Sequence, residues 1–429
     1  MNSRTIRSIH ARRVWDSRGR PTVEAEVVLR DGAVGRAIVP AGASRGTREA
    51  LELRDATARF GGLDVKQAVD NVNGEIARAL TGSAADDQGA LDARLIDLDG
   101  TPAKARLGAN ATLAVSMAAA HAAAHSLGIP LYEYLGGADA VLLPMPQIQI
   151  FGGGAHAGRR VDVQDFMIVC PGATSFSEAL EWTAEVYRST GEIMRARGAN
   201  HGVADEGGWW PDFATNEQAI ETLVRAIELA GFVPGAQICI ALDIAASEFG
   251  SQGRYTLGLE SRQLDSDGLI ELLLRWLDTY PIASIEDPLA EDDRDGFARF
   301  TRAAGHRVQI VGDDFLVSHA PLVRAAAASG AANAVLLKPN QRGTLTETLE
   351  AWHAARDAGY AGIVSARSGE TEDTTIVHLA IGWGTGQLKV GSFARGERMA
   401  KWNEALRIEE RLGARARFAG ANVFGRNPA

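Results

Sequence analysis

Apolar and polar positions alternate early in the chain: Val23, Ala25, Val27 and Leu29 are interleaved with Glu24, Glu26 and Arg30. A period of two marks a strand with one buried face. Residues 5–40 read as three such strands, with Asp31-Gly32 as a hairpin turn before AVGRAIVP. The loop AGASRGTREA follows, and helical spacing takes over from about Val65 to Leu127. The stretch Ala109 to Leu127 is alanine-rich but broken by Asn110, Ser116, His121, His125 and Ser126. It predicts a buried helix, not a membrane span. Strands followed by helices make an α+β unit.

From about Leu142 short apolar runs alternate with amphipathic helices. Thr215 with Gln218 three residues on is a capping box; Ile220, Leu223, Val224 and Ile227 form the buried stripe and Gly231 the stop. A second helix starts at Ser266, with Ile270, Leu273, Leu274 and Leu277 on one face. The runs ICIALD, IASIED, QIVGDD, AVLLK and GQLK each close on a charged side chain: Asp243, Glu286, Asp313, Lys338 and Lys389. They recur roughly every 25 to 45 residues, which suits a βα barrel whose strand ends share one rim. A sixth run, GIVSARS, breaks the pattern and carries the uncharged Ala366.

Any one of the three acids is as well explained by a helix cap or a solvated loop. Gathered on one rim they repel, and a divalent cation explains the gathering. Magnesium takes hard oxygen ligands of this kind. Lys338 could snorkel to the surface; as a proton acceptor it must be neutral, and Mg²⁺ and Lys389 nearby would lower its pKa. Such a base removes a proton from carbon next to a carboxylate. Ala204-Asp205-Glu206-Gly207-Gly208 sets two acids before paired glycines, allowing close backbone approach to a ligand. Phe151-Gly-Gly-Gly-Ala-His156 reads as a mobile loop, without the spacing of a nucleotide-binding motif. Arg367-Ser368 can grip a phosphate through guanidinium and hydroxyl.

Composition narrows the class further. The 429 residues are 46% hydrophobic and 23% charged with net charge -10, which argues against a nucleic-acid partner. The only cysteines, Cys170 and Cys239, lie in apolar runs, so a reducing cytoplasm fits and a disulfide framework does not. The N-terminus has no apolar stretch of signal-peptide type, and no membrane partner is expected.

Together the motifs DSRGRPTVEAEV, LGANATLAVSMA, VADEGGW, ALDIAASEF, IEDPL, GDDF, LLKPNQRGTLTET, RSGETEDT and KWNEALRIEERLG resemble the enolase family, in its order, from about Ile6 to Leu412. The resemblance implies an α/β protein: an N-terminal α+β capping domain, 1–138, and an enolase-type β2α2(βα)6 barrel, 139–429, with the active site at its C-terminal rim. It implies a Mg²⁺-dependent hydro-lyase with two Mg²⁺ per site, the tighter one on Asp243, Glu286 and Asp313. Ser44 joins the second. Lys338 takes the C2 proton of a 2-phosphoglycerate-like acid, and Glu206 helps the C3 hydroxyl leave. Asp165 and His156 belong to the catalytic set, Gln164 and Lys389 to the substrate carboxylate end, Arg367 and Ser368 to the phosphate. A homodimer or higher homo-oligomer is implied by the same resemblance.

The departures cluster around the substrate, not the metal. Ordinary members read Ser-Gly-Ala-Ser-Thr where this chain has Ala41-Gly-Ala-Ser44-Arg45, and Gln-Glu where it has Gln164-Asp165. They read Asn-Gly-Gly where it has Phe151-Gly-Gly-Gly, and histidine at Ala366; Arg159 and Arg160 add charge to the second loop. Space at Ala366 and a cation at Arg45 point to a bulkier or more anionic substrate. The alternative to 2-phosphoglycerate is therefore a phosphonate analogue, 2-phosphonoformylglycerate giving carboxyphosphonoenolpyruvate, a reaction known within the family. A catalytically silent binding protein is the remaining reading.

Overall fold

The computed structural model describes residues 3–424. Strands β1 (Ile6–Trp15), β2 (Pro21–Leu29) and β3 (Val34–Ile38) form an antiparallel meander in that order. Val23, Ala25, Val27 and Leu29 are fully buried, as the alternation predicts. They face helix α1 (Ala109–Leu127). The alanines have a packing reason. At Gly35 in β3 an added Cβ would lie 2.1 Å from Ala118 O and 2.2 Å from Ala122 N, so sheet and helix meet almost backbone to backbone. Among the described residues no helix is long and apolar enough to cross a membrane.

Eight strands close the barrel: β4 (Met145–Gly152), β5 (Asp165–Val169), β6 (Cys239–Asp243), β7 (Ile282–Glu286), β8 (Gln309–Gly312), β9 (Ala334–Leu337), β10 (Ala361–Ser365) and β11 (Gln387–Ser392). Only β5 runs antiparallel to its neighbours. Between β5 and β6 lie α2 (Phe176–Ala196) and α3 (Asn216–Leu229). After β6 each strand is followed by a helix: α4 (Ser266–Thr279), α5 (Arg294–Ala304), α6 (Ala320–Ser329), α7 (Leu345–Asp357), α8 (Thr375–Gly382) and α9 (Gly396–Leu412). This is the β2α2(βα)6 order. The strands are apolar on both faces because helices cover the outside while Val311, Ala334, Leu336 and Ile363 fill part of the inside.

The Thr215 cap is present: its side chain accepts the Gln218 N–H at 3.1 Å. The return bond from Gln218 reaches Ala214 N–H at 2.9 Å, one residue before the cap. A small three-stranded sheet at Gly250–Ser251, Arg254–Leu257 and Arg262–Asp265, between β6 and α4, was not anticipated. Two expectations need correction. Strand β11 does not stop at Lys389 but runs to Ser392, because a register shift between Lys389 and Gly391 lets it continue. The Phe151–Ala157 segment is no mobile loop: it ends β4 and enters a packed turn in which Gly153, Gly154, His156 and Ala157 are buried.

Candidate active site

Asp243 and Glu286 are the last residues of β6 and β7, while Asp313, Lys338 and Ala366 lie one step beyond β8, β9 and β10. Asp165 opens β5, and because β5 runs the other way its first residue reaches the same rim, paired in register with Asp243. A single cavity of about 20 Å³ sits at this rim. Of the residues singled out in the sequence, eleven line it: Ser44, His156, Gln164, Asp165, Glu206, Asp243, Lys338, Ala366, Arg367, Ser368 and Lys389. Glu286, Asp313 and Arg45 do not. At about 20 Å³ the cavity holds little more than a water, so the space expected from the missing histidine is not an open void here.

Buried charges at the rim pair with one another. Lys389 Nζ lies 2.8 Å from both Asp243 Oδ2 and Glu286 Oε2, and 3.2 Å from Asp165 Oδ2. Gln164 Nε2 donates to Asp243 Oδ2 at 3.0 Å. Lys338 Nζ is bonded directly to Asp313 Oδ2, and Gln341 Nε2 donates to Asp313 Oδ1 at 2.9 Å. Burial pushes the Lys338 pKa down, but Asp313 and Glu286 push it further up, so the net shift is upward. The expected depression is thus absent while Asp313 holds the ammonium. Burial and the Asp243 charge raise Glu286 well above the usual carboxylate range. Asp313 is held low: burial works against it, and Lys338 and Arg367 prevail.

A second cluster stands across the barrel, since β5 and β9 are four strands apart in a ring of eight. His156 Nδ1 is 3.2 Å from Asp165 Oδ1, and its Nε2 is 3.7 Å from Glu206 Oε1. Burial disfavours the imidazolium, yet Glu206 and Asp165 raise its pKa to about 8. Asp165 is correspondingly lowered: burial opposes the charge, and Lys389 and His156 more than compensate. Gly207 and Gly208 bring this corner together. A Cβ at Gly207 would meet Ala394 O at 2.6 Å, and one at Gly208 would meet Gln149 Oε1 at 2.4 Å.

The first loop is zipped onto the segment after β10. Ala41 and Gly369 exchange backbone bonds at 2.9 Å each way, and Ser368 Oγ accepts the Ala43 N–H at 2.7 Å. Arg367 grips Glu49 with both terminal nitrogens, at 3.1 and 3.2 Å, and adds Asn340 Oδ1 at 3.1 Å and Ser44 O at 2.9 Å. Arg45 instead pairs with Glu52. In the second loop Arg159 pairs with Glu248 at 2.9 Å and Arg160 with Asp212 at 2.6 Å.

Among the described residues two groups of side chains are close enough to share a metal: His156, Asp165 and Glu206, and Asp287, Asp313 and Asp314. Neither is the expected trio. In the first group burial opposes the imidazolium, but Glu206 and Asp165 raise the His156 pKa to about 8, so the three side chains pair as ions. In the second, Asp287 accepts the backbone N–H groups of Asp313 and Asp314 at 2.9 and 2.8 Å, which commits both its oxygens to shaping the strand end. Asp243, Glu286 and Asp313 are not gathered because Lys389 sits between the first two and Lys338 holds the third. They nonetheless fit a cation: they already surround positive charge, and Glu286 Oε1 is buried with no partner among the described residues.

Sequence reasoning passed over Gln149, Gln341 and Glu49. Gln149 joins the Asp165 carboxylate to the Gly208 N–H. Its signal was there: Gln147 and Gln149 recur at period two inside an apolar strand. Comparison with known families gives two matches, an enolase N-terminal domain over residues 6–135 and an enolase C-terminal TIM barrel domain over residues 140–427.

Proposed function

Because the chain belongs to the enolase family, whose members are magnesium-dependent lyases, we propose that it removes water from a small 2-phosphoglycerate-like acid. One observation carries the reading: a lysine, Lys338, and an imidazole–carboxylate triad, His156 with Asp165 and Glu206, face one cavity from opposite sides of the barrel. An elimination needs a proton acceptor at one carbon and a proton donor at the hydroxyl of the next.

In this reading Lys338, once its ammonium has parted from Asp313 and given its proton to water, takes the proton from the carbon next to the substrate carboxylate. Glu206 delivers a proton to the leaving hydroxyl, and His156, protonated near neutral pH, replenishes it. Lys389 and Gln164 orient the substrate carboxylate. Arg367 and Ser368 take the anionic end, and the closed first loop excludes water. Asp243, Glu286 and Asp313 would hold the tighter Mg²⁺, and Ser44 a second. Bound there, magnesium supplies the positive charge that acidifies carbon next to a carboxylate.

Ala366, a methyl on the cavity wall where ordinary members carry an imidazole, is the reason to keep the phosphonate analogue as the alternative substrate. Residues 1–138 act as the capping domain and 139–429 as the catalytic barrel, of which 1–2 and 425–429 lie outside the described residues. The same reading has the protein work in the cytoplasm as a homodimer or larger homo-oligomer, without nucleic acid or membrane. The test is a Mg²⁺-dependent assay of 2-phosphoglycerate and 2-phosphonoformylglycerate side by side, following formation of the enol product. Turnover of neither, with Mg²⁺ saturating, rejects the proposal.

A further inference from the structure

Helix α9 carries a cation that reaches no solvent: Arg398 is 0% exposed. Its Nη1 donates to Arg367 O at 2.7 Å and to Val390 O at 2.8 Å, and its Nη2 to Ser368 O at 2.6 Å. Glu397 Oε1 is 3.4 Å from its Nε. One turn on, Lys401 donates to Thr371 O at 2.9 Å and lies 2.9 Å from Glu370 Oε2. The other Glu370 oxygen accepts the Arg367 N–H at 3.1 Å. Gly391 makes room: a Cβ there would sit 3.1 Å from Arg398 Cδ and 3.1 Å from Glu206 Cβ.

Burying a guanidinium is unfavourable unless its donors are used. Here both terminal nitrogens are used on carbonyls of two neighbouring segments, while Nε has no hydrogen-bond partner among the described residues. Arg367 O and Ser368 O follow β10, and Val390 O belongs to the residue after Lys389 on β11. A rigid planar fork that spans carbonyls on both segments fixes their separation, which a flexible ammonium cannot do. The side chains leaving those segments into the cavity are Arg367, Ser368 and Lys389.

We propose that Arg398 is a positioning residue for anion recognition. From beneath the rim it sets the distance between the Arg367–Ser368 grip, for a phosphate or phosphonate, and Lys389, for a carboxylate. The proposal rests on the reading of those three residues given above. Arg398 itself touches no substrate.

The experiment compares wild type, Arg398→Met and Arg398→Lys as full-length protein with Mg²⁺ present. It measures binding of inorganic phosphate by calorimetry, KM and kcat separately, and the thermal midpoint. Arg398→Met is expected to weaken phosphate binding and raise KM by about 10- to 100-fold, the scale of an ångström-sized misplacement. Arg398→Lys, which keeps the charge but not the fork, falls between the two. Variants with wild-type phosphate affinity and KM, changed only in thermal midpoint, overturn the proposal. If Arg398→Met does not fold, Arg398→Lys decides by the same readouts. Phosphate affinity is read without turnover. A wild type that binds phosphate but converts no substrate therefore rejects the proposed reaction and leaves the positioning role standing. A wild type that binds no phosphate removes the grip and the positioning role with it.

Discussion

Replacing Lys338 with methionine separates two tasks that Asp313 is asked to perform. In the protein as it stands, Asp313 and Lys338 form a buried pair with side-chain exposures of 6% and 9%. Removing one partner of such a pair destabilises by roughly 3–5 kcal/mol, because the other charge is left buried. Gln341, 2.9 Å from Asp313 Oδ1, remains and offsets a part. If Asp313 also ligates Mg²⁺, the ion binding to Lys338→Met meets a carboxylate with no competitor and one less nearby positive charge. Recovering about 1.4 kcal/mol of the lost pairing tightens Mg²⁺ binding about tenfold. Calorimetric titration with Mg²⁺ and thermal unfolding with and without the ion read this directly. The expected variant is inactive, less stable than wild type without metal, more strongly stabilised by Mg²⁺, and binds it at least about tenfold more tightly. Equal or weaker Mg²⁺ binding, or a stability loss that metal does not reduce, would refute the sharing of Asp313 between ammonium and ion.

Ala366→His restores the missing imidazole and should shift kcat/KM towards 2-phosphoglycerate over its phosphonate analogue; a ratio of the two unchanged within error would show that Ala366 does not set preference. His156 should titrate near pH 8 by NMR and fall in Asp165→Asn, where Glu206 alone is left to hold the proton against burial. Because its folded pKa lies above the unfolded value, its contribution to stability is complete below about pH 6.5 and is lost as pH rises through about 8. The stability difference between wild type and His156→Gln should therefore be larger at about pH 6 than at about pH 9, measured by denaturant titration. Gly35→Ala forces a methyl into the backbone of α1 and should lower stability by more than the roughly 1–3 kcal/mol of ordinary overpacking, read from the denaturation midpoint of folded variant against wild type.

The barrel was legible because helices cover its outside and side chains fill its inside, so each strand is an unbroken apolar run closed by the first residue that needs water or charge. That logic located Asp243 and Glu286 at their strand ends. It cut β11 short because Lys389, though charged, is buried among three carboxylates and the strand continues past it. What the logic could not supply is pairing at a distance. Glu49 and Arg367 are 318 residues apart, and nothing around Glu49 announces its partner. The upward shift of Lys338 was hidden for a related reason: it depends on which carboxylate the ammonium faces, a matter of side-chain geometry.

The hold of Arg367 on Glu49 has a consequence for selectivity. A ligand arriving at the rim meets a guanidinium whose two ends are already occupied by a carboxylate of the same chain. If Arg367 takes the anion, entry is a contest between two anions for one fork, and the first loop stays held through Ala41 and Gly369. On that reading a ligand too weakly charged to displace Glu49 is turned away before its shape is compared with the cavity, so the doorway sorts by charge and the interior by form.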